Sequence, residues 1–595
     1  MEQRKLGLLT GLLAVLLIGV GSSIVFWLYG WSGDSVMAAS TPSISGVVKD
    51  DAGKPVRGAV VSATSGSGFR RFSSFTNAAG QYKITDLKPD AYRVSATAWG
   101  LEAKENNKNL SGDVTVDITL APKWDPDVMM SWAEWLTYLP KNIETVKMSG
   151  CVGCHNLSWT LRDRRMRGAK AAAWEAGLAS MERKLGRSFG ESDPQTKAEV
   201  FAILEKYFGP NAPLPTMNQV QHVEMSDAAL RATWREYRPP TVTNFIHSID
   251  ADAKGQVWFA EWDRKANKVG RFDPGTEEIQ ELSVPTPGAF PHTPLTGKDG
   301  RIFVTEGAVN SVGVIDPQTG KYTEYRAPTP GSPHTTALDS AGNLWYCDGY
   351  GSVLGAKVGK FDPRTQKFTE YLIPVPPPPP DASTNLYWQA VREAQSRNSS
   401  MSSESGGGNQ GGTKPKDAYG LYAIGVDSHD NIWVSTSELG NIIKLDSKTG
   451  ESKFYPIPGA QHIKGVAVDK NDNVWFSSYS GHRLGKIIPA TGEIKLYQMP
   501  TPHASTYGIV MDKKNGYLWT PDFSGNHITR FNLQTEEFTE YRFPTPNGMA
   551  RFIGLDPKGR VVFTESTAGV FGILDPGDTP AAGRPTGKVA AVINK

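Results

Sequence analysis

The sequence is poor in cysteine and has almost no net charge, and each shortage excludes a class of protein. Only 3 cysteines occur in 595 residues, which is too few for a disulfide framework. The 63 Lys and Arg residues nearly match the 61 Asp and Glu residues, leaving a net charge of +2. The excess of positive charge with which nucleic-acid-binding proteins neutralise phosphates is therefore missing. With 39% hydrophobic and 21% charged residues, the chain is neither disordered nor a protein of many membrane spans.

Glycine, proline and aromatic residues are plentiful instead. The chain has 61 Gly and 41 Pro residues, and 10% of it is aromatic. This mix indicates many short strands joined by turns rather than helix bundles. The length predicts about three to five domains.

The first 35 residues are predicted to be an export segment. Gln3-Arg4-Lys5 gives a positive start, and no charged residue occurs from Leu6 to Trp31. This run is longer than the ~20 apolar residues that span a hydrocarbon core. We expect an uncleaved anchor in the inner membrane, with the rest of the chain in the periplasm. A cleaved signal ending near Ala38-Ala39 is the alternative.

Residues 42–122 show short alternating segments broken by turn residues, which predicts a β-sandwich. The motifs that stand out are Gly46-Val47-Val48, Gly53-Lys54-Pro55-Val56, Gly58-Ala59-Val60-Val61, Thr76-Asn77, Gly80-Gln81-Tyr82 and Ala91-Tyr92-Arg93-Val94. Together they resemble the carboxypeptidase regulatory-like domain, a transthyretin-like sandwich. The resemblance implies a spacer, or a module for glycan or protein contacts, with no chemistry of its own.

The segment Cys151-Val152-Gly153-Cys154-His155 carries the clearest chemical signal. The spacing C-x-x-C-H is that of covalent haem c attachment, with two thioether bonds from the cysteines and the histidine as axial iron ligand. A zinc knuckle would need a second ligand pair, and a thioredoxin-like site would need a βαβ context. We therefore predict one covalent haem c held by Cys151, Cys154 and His155.

The flanks of this motif have the apolar spacing of helices, so residues 123–240 are predicted to form a small all-α cytochrome c domain. The stretch from Trp174 to Met181, followed by Tyr207-Phe208-Gly209-Pro210, resembles short cytochrome domains fused to propellers in bacterial oxidoreductases. That resemblance implies Met181 as the sixth iron ligand. Met217, in a Pro-rich loop, and His222 are the alternatives.

Residues 241–590 repeat one unit, in which an apolar run ending in Asp and a Gly or Asn turn precede an aromatic strand. The leading residues recur at intervals of 42 to 45, with one doubled interval of 88. A repeat of ~40–45 residues with four strands is typical of a propeller blade. We therefore predict a mainly β protein with a seven-bladed propeller. The doubled interval contains a Pro-rich, then Ser/Gly-rich insertion at about 374–417, expected to be flexible.

Equivalent positions of the innermost strands should face the central channel in two rings. The first ring comprises His247, His292, His334, Tyr422, Lys464, Tyr507 and Arg551. The second comprises Glu261, Glu306, Asp348, Thr436, Ser478, Asp522 and Glu565. The first three repeats thus offer a histidine with a carboxylate, which suits a divalent metal or proton transfer. The alternative is that these side chains only hydrogen-bond strand ends and water.

The repeats, above all VWFAEWDRKANKVGRFDP, resemble the virginiamycin B lyase (streptogramin lyase) family of propellers. The resemblance implies a histidine near the start of each of the last two blades, acidic residues beside the second, and magnesium. Those positions hold Tyr507 and Arg551 here, within Met549-Ala550-Arg551. This departure weakens the expectation of carbon–oxygen lyase chemistry, and His503 is only a partial substitute.

The domains together predict a periplasmic, membrane-anchored c-type cytochrome. The haem would pass electrons to a redox partner protein, and the propeller would bind a substrate or partner such as a small molecule, glycan or peptide. A metal-dependent lyase with an appended cytochrome is the first alternative, and a non-catalytic binding module with a haem relay is the second. Cys347, on an innermost strand beside Asp348, is expected to be inert packing.

Overall fold

The computed structural model describes residues 41–139, 202–380, 419–577 and 589–593, apart from short gaps inside these ranges. Their regular structure is almost entirely β. No helix in these ranges is long and apolar enough to cross a membrane. The predicted anchor at 1–35 and most of the insertion at 374–417 lie outside them.

A β-sandwich forms the first unit, as the alternating segments predict. Its core contains Val48, Val61, Tyr92, Val94 and Leu120, all at most 1% exposed. The strands are β1 (Ile44–Asp50), β2 (Val60–Ser65), β3 (Arg70–Phe75), β4 (Gln81–Ile84), β5 (Asp90–Ala98), β6 (Leu101–Glu102), β7 (Asn106–Leu110), β8 (Val114–Thr115) and β9 (Ile118–Pro122).

A short segment leads from the sandwich to the repeats. It contains the helices Pro126–Met129 and Trp132–Tyr138, the 3-10 helices Met217–Gln219 and Ala229–Arg231, and β10 (Thr233–Tyr237). The second helix starts at a capping box, in which Ser131 and Glu134 exchange side-chain to backbone hydrogen bonds. Such a box satisfies two backbone groups at the start of a helix.

Six antiparallel blade sheets follow in the described part of the repeats. The first blade contains β11 (Ile246–Ala251), β12 (Val257–Glu261), β13 (Lys268–Asp273) and β14 (Glu278–Ser283). The second contains β15 (Pro291–Thr296), β16 (Ile302–Glu306), β17 (Ser311–Ile315) and β18 (Tyr322–Arg326). The third contains β19 (Pro333–Leu338), β20 (Leu344–Asp348), β21 (Lys357–Asp362) and β22 (Lys367–Leu372).

The other three blades follow the insertion. The fourth blade contains β23 (Leu421–Val426), β24 (Ile432–Thr436), β25 (Asn441–Leu445) and β26 (Ser452–Pro456). The fifth contains β27 (Ile463–Val468), β28 (Val474–Ser478), β29 (Arg483–Ile488) and β30 (Glu493–Gln498). The sixth contains β31 (Val510–Asp512), β32 (Tyr517–Asp522), β33 (His527–Asn532) and β34 (Phe538–Arg542). The late strand β38 (Val589–Ile593) pairs with β30 as a fifth strand.

In four of the six blades, the Asp and Trp of the repeated sequence meet in a hydrogen bond. The Trp345 indole N–H donates to Asp339 at 2.9 Å, six residues earlier in the chain. Trp433 and Trp475 repeat the contact at 3.0 Å with the corresponding aspartates. Because a buried indole N–H needs an acceptor, this pairing explains why Asp and Trp recur together.

The prediction of a seven-bladed propeller is wrong for the described residues, which form six separate blades. The last repeat supplies β35 (Ile553–Leu555), β36 (Val561–Glu565) and β37 (Val570–Asp575). These strands join a 13-stranded sheet that continues into the sandwich. The last repeat is joined to the sandwich by β10, because this strand pairs antiparallel with β37 on one edge and with β3 on the other.

The predicted helical cytochrome c domain at 123–240 is also not supported. Its described helices are short, and the Trp132–Tyr138 helix packs its apolar face on Leu204, Phe208 and Val220. The Trp135 and Phe208 ring centroids are 5.5 Å apart. The same helix is fixed to the propeller by a hydrogen bond from the Ala133 amide to the Ser524 carbonyl. The apolar residues of the Trp132–Tyr138 helix thus serve the junction between the sandwich and the propeller.

A buried charge network joins the sandwich to the last repeat. The Arg71 Nε on β3 lies 2.8 Å from Glu236 of β10, whose side chain is 1% exposed. Glu236 also accepts a 2.6 Å hydrogen bond from Thr545. Glu236 raises the pKa of Arg71 further, and burial raises the pKa of the neighbouring Glu565 well above its usual range. The Arg71 guanidinium therefore interacts electrostatically with two buried carboxyl groups, those of Glu236 and Glu565.

Replacing Arg71 by methionine (R71M) tests this network. We expect the free energy of unfolding to fall by about 3–5 kcal/mol, because the change leaves a buried carboxylate without its cation. Urea unfolding followed by tryptophan fluorescence measures the loss. The matched control is Arg364→Met, since Arg364 is 65% exposed in its pair with Asp362 and should contribute at most about 1 kcal/mol. Equal losses in both variants would contradict the proposed role of Arg71.

Candidate functional site

The first predicted ring comes together in the channel, and a local backbone irregularity helps to place it. His247, His292 and His334 are each the second residue of an innermost strand, β11, β15 and β19. In each strand the pairing register shifts across an interval that contains that histidine. Such bulges re-aim side chains and are frequent beside active sites. Equivalent shifts contain Tyr422 on β23 and Lys464 on β27.

The three histidines form one row of rings that are tilted against each other by 44° and 41°. The ring centroids of His247 and His292 are 3.9 Å apart, and those of His292 and His334 are also 3.9 Å apart. All three are at most 2% exposed. The Nδ1 atoms contact local groups, namely Ser248 Oγ at 2.9 Å, Thr293 Oγ1 at 2.8 Å and the Tyr422 carbonyl at 3.0 Å.

The remaining ring members connect the two ends of this row. Tyr422 lies 4.6 Å from His334 between ring centroids and hydrogen-bonds Tyr507 through the two hydroxyls. The Lys464 ammonium lies 3.7 Å from the centroid of Tyr422. The Arg551 guanidinium lies 5.5 Å from the centroid of Tyr507. The ring thus combines imidazoles, phenols and two cations in a buried space.

The imidazoles are neutral near pH 7. Burial lowers the pKa of His247 and of His292 well below the usual value, and Arg551 lowers both further. Burial lowers the pKa of His334 to about 3, with Lys464 and Arg551 adding to the effect. Because His334 Nδ1 faces a carbonyl oxygen, Nδ1 carries the proton and Nε2 carries the lone pair. Within the described residues, Nε2 of His292 has no hydrogen-bond partner.

Aromatic side chains that sequence reasoning missed surround the histidines. Phe245, Trp262 and Phe552 lie with ring centroids 5.3–5.7 Å from His247. Phe290 lies 5.1 Å from Trp262. The repeated Phe-x-His spacing of Phe245/His247 and Phe290/His292 is the signal that would have found the two phenylalanines.

The second ring lies at the ends of the strands next to the innermost ones. Glu261 pairs with Ile246, Glu306 with Pro291, and Asp348 with Pro333. Each predicted carboxyl group therefore lies opposite the residue that precedes a channel histidine. Thr436, Ser478, Asp522 and Glu565 end the equivalent second strands and are buried as well.

The second-ring carboxyls make contacts inside their own blades. The Tyr322 hydroxyl donates to Glu306 at 2.8 Å. Burial raises the pKa of Glu261 to about 8 and that of Glu306 to about 8, so both are protonated near pH 7. Asp522 differs, because His527 Nε2 lies 3.3 Å from it and 3.0 Å from Glu540. Although burial opposes protonation of His527, these two carboxylates raise its pKa to about 9.

The described residues contain no group of three or more His, Cys, Asp or Glu side chains placed to hold a metal ion. Cys347 is buried, and burial raises the pKa of its thiol to about 12, which fits the prediction of inert packing. His503 has a positive φ of 58° and lies 5.5 Å from His482 between ring centroids.

The predicted haem ligands Cys151, Cys154, His155 and Met181 lie outside the described residues. Met217 begins a 3-10 helix, is 39% exposed and lies against Gly100. His222 is engaged instead by Glu134, whose Oε1 is 2.6 Å from its Nδ1.

Two family models match the chain. The virginiamycin B lyase family matches residues 216–386 and 413–586, and the carboxypeptidase regulatory-like domain matches residues 43–121. A comparison with curated proteins gives no match.

Solved structures of similar fold include virginiamycin B lyase from Staphylococcus aureus and a streptogramin B lyase. The first is 21% identical with a TM-score of 0.45, covering 58% of this chain and 99% of that one. The second is 24% identical with a TM-score of 0.47, covering 59% of this chain and 99% of that one. A catalytically inactive form of the S. aureus enzyme with quinupristin is 20% identical with a TM-score of 0.45, covering 58% of this chain and 99% of that one.

The family model of the propeller accounts for more than half of the residues, and the sandwich has its own match. The chain belongs to the virginiamycin B lyase family.

Proposed function

We propose that the channel is the active site of a carbon–oxygen lyase whose chemistry is carried by the histidines of the first three repeats. The observation that carries this proposal is the row of neutral imidazoles beside Lys464 and Arg551 in one buried ring. An elimination needs a base for a proton next to a carbonyl and positive charge for the departing oxygen. The ring supplies both, although Tyr507 and Arg551 occupy the positions where the family resemblance implies histidines.

The elimination balances without water or an oxidant. A proton on the carbon next to a carbonyl moves to an imidazole Nε2, and the electrons of that C–H bond form a C=C bond. The C–O bond on the following carbon breaks, and the oxygen leaves as a carboxylate. Lys464 and Arg551 are the groups that would stabilise the negative charge.

Lys464 and Arg551 also influence how well the weakly basic imidazoles can act as a general base. Arg551 depresses the pKa of all three histidines, and Lys464 depresses that of His334. Burial is the larger cause of the lowered pKa values. A bound anionic group would offset the part that comes from the cations and so raise the imidazole pKa.

A magnesium ion, which the family resemblance implies, does not fit the described channel. No three His, Cys, Asp or Glu side chains of the described residues are placed so that they could hold one metal ion. Lys464 and Arg551 would also repel a divalent cation. The steps above therefore use only side chains of this ring.

The substitution His292→Asn tests the lyase proposal. With quinupristin as substrate, we expect the wild-type chain to open the ring and the variant to be slower by about 100-fold or more, a typical contribution of a general base. Liquid chromatography with mass spectrometry separates the mechanisms, because elimination leaves the mass unchanged and hydrolysis adds one water. The matched control is His429→Asn, since the His429 side chain is 75% exposed. An intact substrate with the wild-type chain, or equal rates in both variants, would refute the assignment.

We also propose that Cys151 and Cys154 attach haem c with His155 as axial ligand, which would give the chain an electron-transfer role with a redox partner protein. The C-x-x-C-H spacing supports this proposal. Met181 and Met217 are the candidates for the sixth ligand. The chemistry suits an exported chain, so the anchor at 1–35 and a periplasmic location are part of the same proposal.

Haem staining of a denaturing gel tests attachment. We expect a haem signal from the wild-type chain and its loss in Cys151→Ser with Cys154→Ser, because both thioether bonds are removed. The control is Cys347→Ser, which removes the buried third cysteine and should keep the signal. A wild-type chain without covalent haem, expressed with a cytochrome c maturation system, would rule this proposal out.

A further inference from the structure

A cleft of about 500 Å³ opens where the sandwich, the short helices and the propeller meet. Its walls include Ala98 and Leu101 of the sandwich, Val128 of the Pro126–Met129 helix, and Phe543 and Pro544 of the propeller. Small-molecule sites have volumes of about 300–1,000 Å³, are mostly apolar with a few placed polar groups, and are common between domains. The cleft is distinct from the channel, whose ring residues do not line it.

His222 is a polar group that is held in a fixed position at this cleft. Its Nδ1 lies 2.6 Å from Glu134 Oε1. Glu134 is in turn fixed by the Ser131 amide at 2.7 Å and by Arg542 Nη2 at 3.0 Å. The Glu134 side chain is only 3% exposed, so this orientation is built into the junction.

The charges in this cluster determine which nitrogen of His222 carries the proton. Burial opposes ionisation of Glu134, but Arg542 and His222 outweigh it and lower the pKa of Glu134 to about 2. Burial and Arg542 together lower the pKa of His222 below its usual value, although Glu134 and Glu224 act in the opposite direction. Nδ1 of His222 lies 2.6 Å from Glu134 Oε1 and 3.2 Å from Arg542 Nη2. Because an ionised carboxylate can only accept, the shorter contact requires the proton on Nδ1, which leaves the lone pair on Nε2. His222 therefore accepts a hydrogen bond, and a ligand must donate one.

The lining also favours an aromatic partner. Met129, Met130 and Met225 line the cleft, and methionine sulfur makes favourable contacts with aromatic rings while adapting to their shape. The His222 ring is itself stacked on Trp99, with centroids 3.9 Å apart and planes 19° apart. The acceptor is thus fixed in position beside an adaptable apolar wall.

We propose that this cleft is a second ligand site, which binds an apolar phenol whose hydroxyl donates to Nε2 of His222. The carboxylate behind the imidazole strengthens the acceptor, as it does in other carboxylate–histidine pairs. The site depends on the Glu134–His222 pair and on the apolar lining, and is independent of the lyase and haem proposals.

Two probes of nearly equal shape test the hydrogen bond in the full chain. 2-Naphthol carries the hydroxyl donor, and 2-methoxynaphthalene replaces its hydrogen by a methyl group. We expect 2-naphthol to bind the wild-type chain about tenfold more tightly or better, because the ether leaves a buried acceptor unpaired. Probe titration followed by tryptophan fluorescence gives both affinities.

The variant His222→Phe keeps a ring on Trp99 but removes the acceptor. We expect it to bind the two probes equally, whereas His292→Asn in the channel should keep the wild-type preference. A thermal melt verifies that each variant is folded, and Glu134→Gln should reduce the preference if the His222 variant proves unstable. Equal binding of both probes by the wild-type chain, or a preference that survives in His222→Phe, would overturn the proposal. So would stoichiometric Zn²⁺ binding that displaces 2-naphthol and requires His222, because the lone pair would then serve a metal.

Discussion

The structure depends on one strand that is paired on both edges. Residues Thr233–Tyr237 bond to the last repeat on one side and to the sandwich on the other. An unpaired edge would expose a row of backbone donors and acceptors, and here neither edge is left open. The sandwich and the last repeat therefore continue each other as one sheet, and this sheet fixes the junction at which the His222 cleft lies.

The charge network at this strand follows a pattern used in other blades. A glutamate on the outermost strand accepts a hydrogen bond from a threonine hydroxyl in the loop before the blade. Examples are Glu324 with Thr286 and Glu540 with Thr501. In several blades the third strand begins with a cation that faces this glutamate; examples are Lys268, Lys357 and His527. The last repeat has Val570 at that position.

The sandwich supplies the missing cation of the last repeat. Arg71 reaches Glu236 across the shared sheet, so a charge that other blades hold internally comes here from another domain. Separating the two domains would take the cation away from a carboxylate that is buried in β10, which is strongly unfavourable. The sandwich and the propeller are therefore joined by an ion pair as well as by strand pairing.

The repeats made the channel predictable, since a fixed period identifies equivalent positions without any structure. All seven leading residues were found in this way, from His247 to Arg551. The period does not say whether His247 and Glu261 act together, because their relative placement depends on a local irregularity of strand pairing around His247. The shared sheet was not predictable either, because β10 and β3 are more than 150 residues apart in the chain. The Trp132–Tyr138 helix was found by its periodicity, but its packing partners, such as Phe208, are set by tertiary contacts.

The order of residues around the channel gives it a direction. His247, His292 and His334 occupy three consecutive repeats, whereas Lys464 and Arg551 occupy later ones and are separated from each other by Tyr507. One side of the ring is therefore neutral and can accept protons, and the other side is positive. A substrate with an anionic group and an acidic C–H bond would be held in one orientation by this asymmetry, because the reversed orientation would remove the anion from both cations. Identical backbone positions thus produce an oriented site solely because the side chains of successive repeats differ.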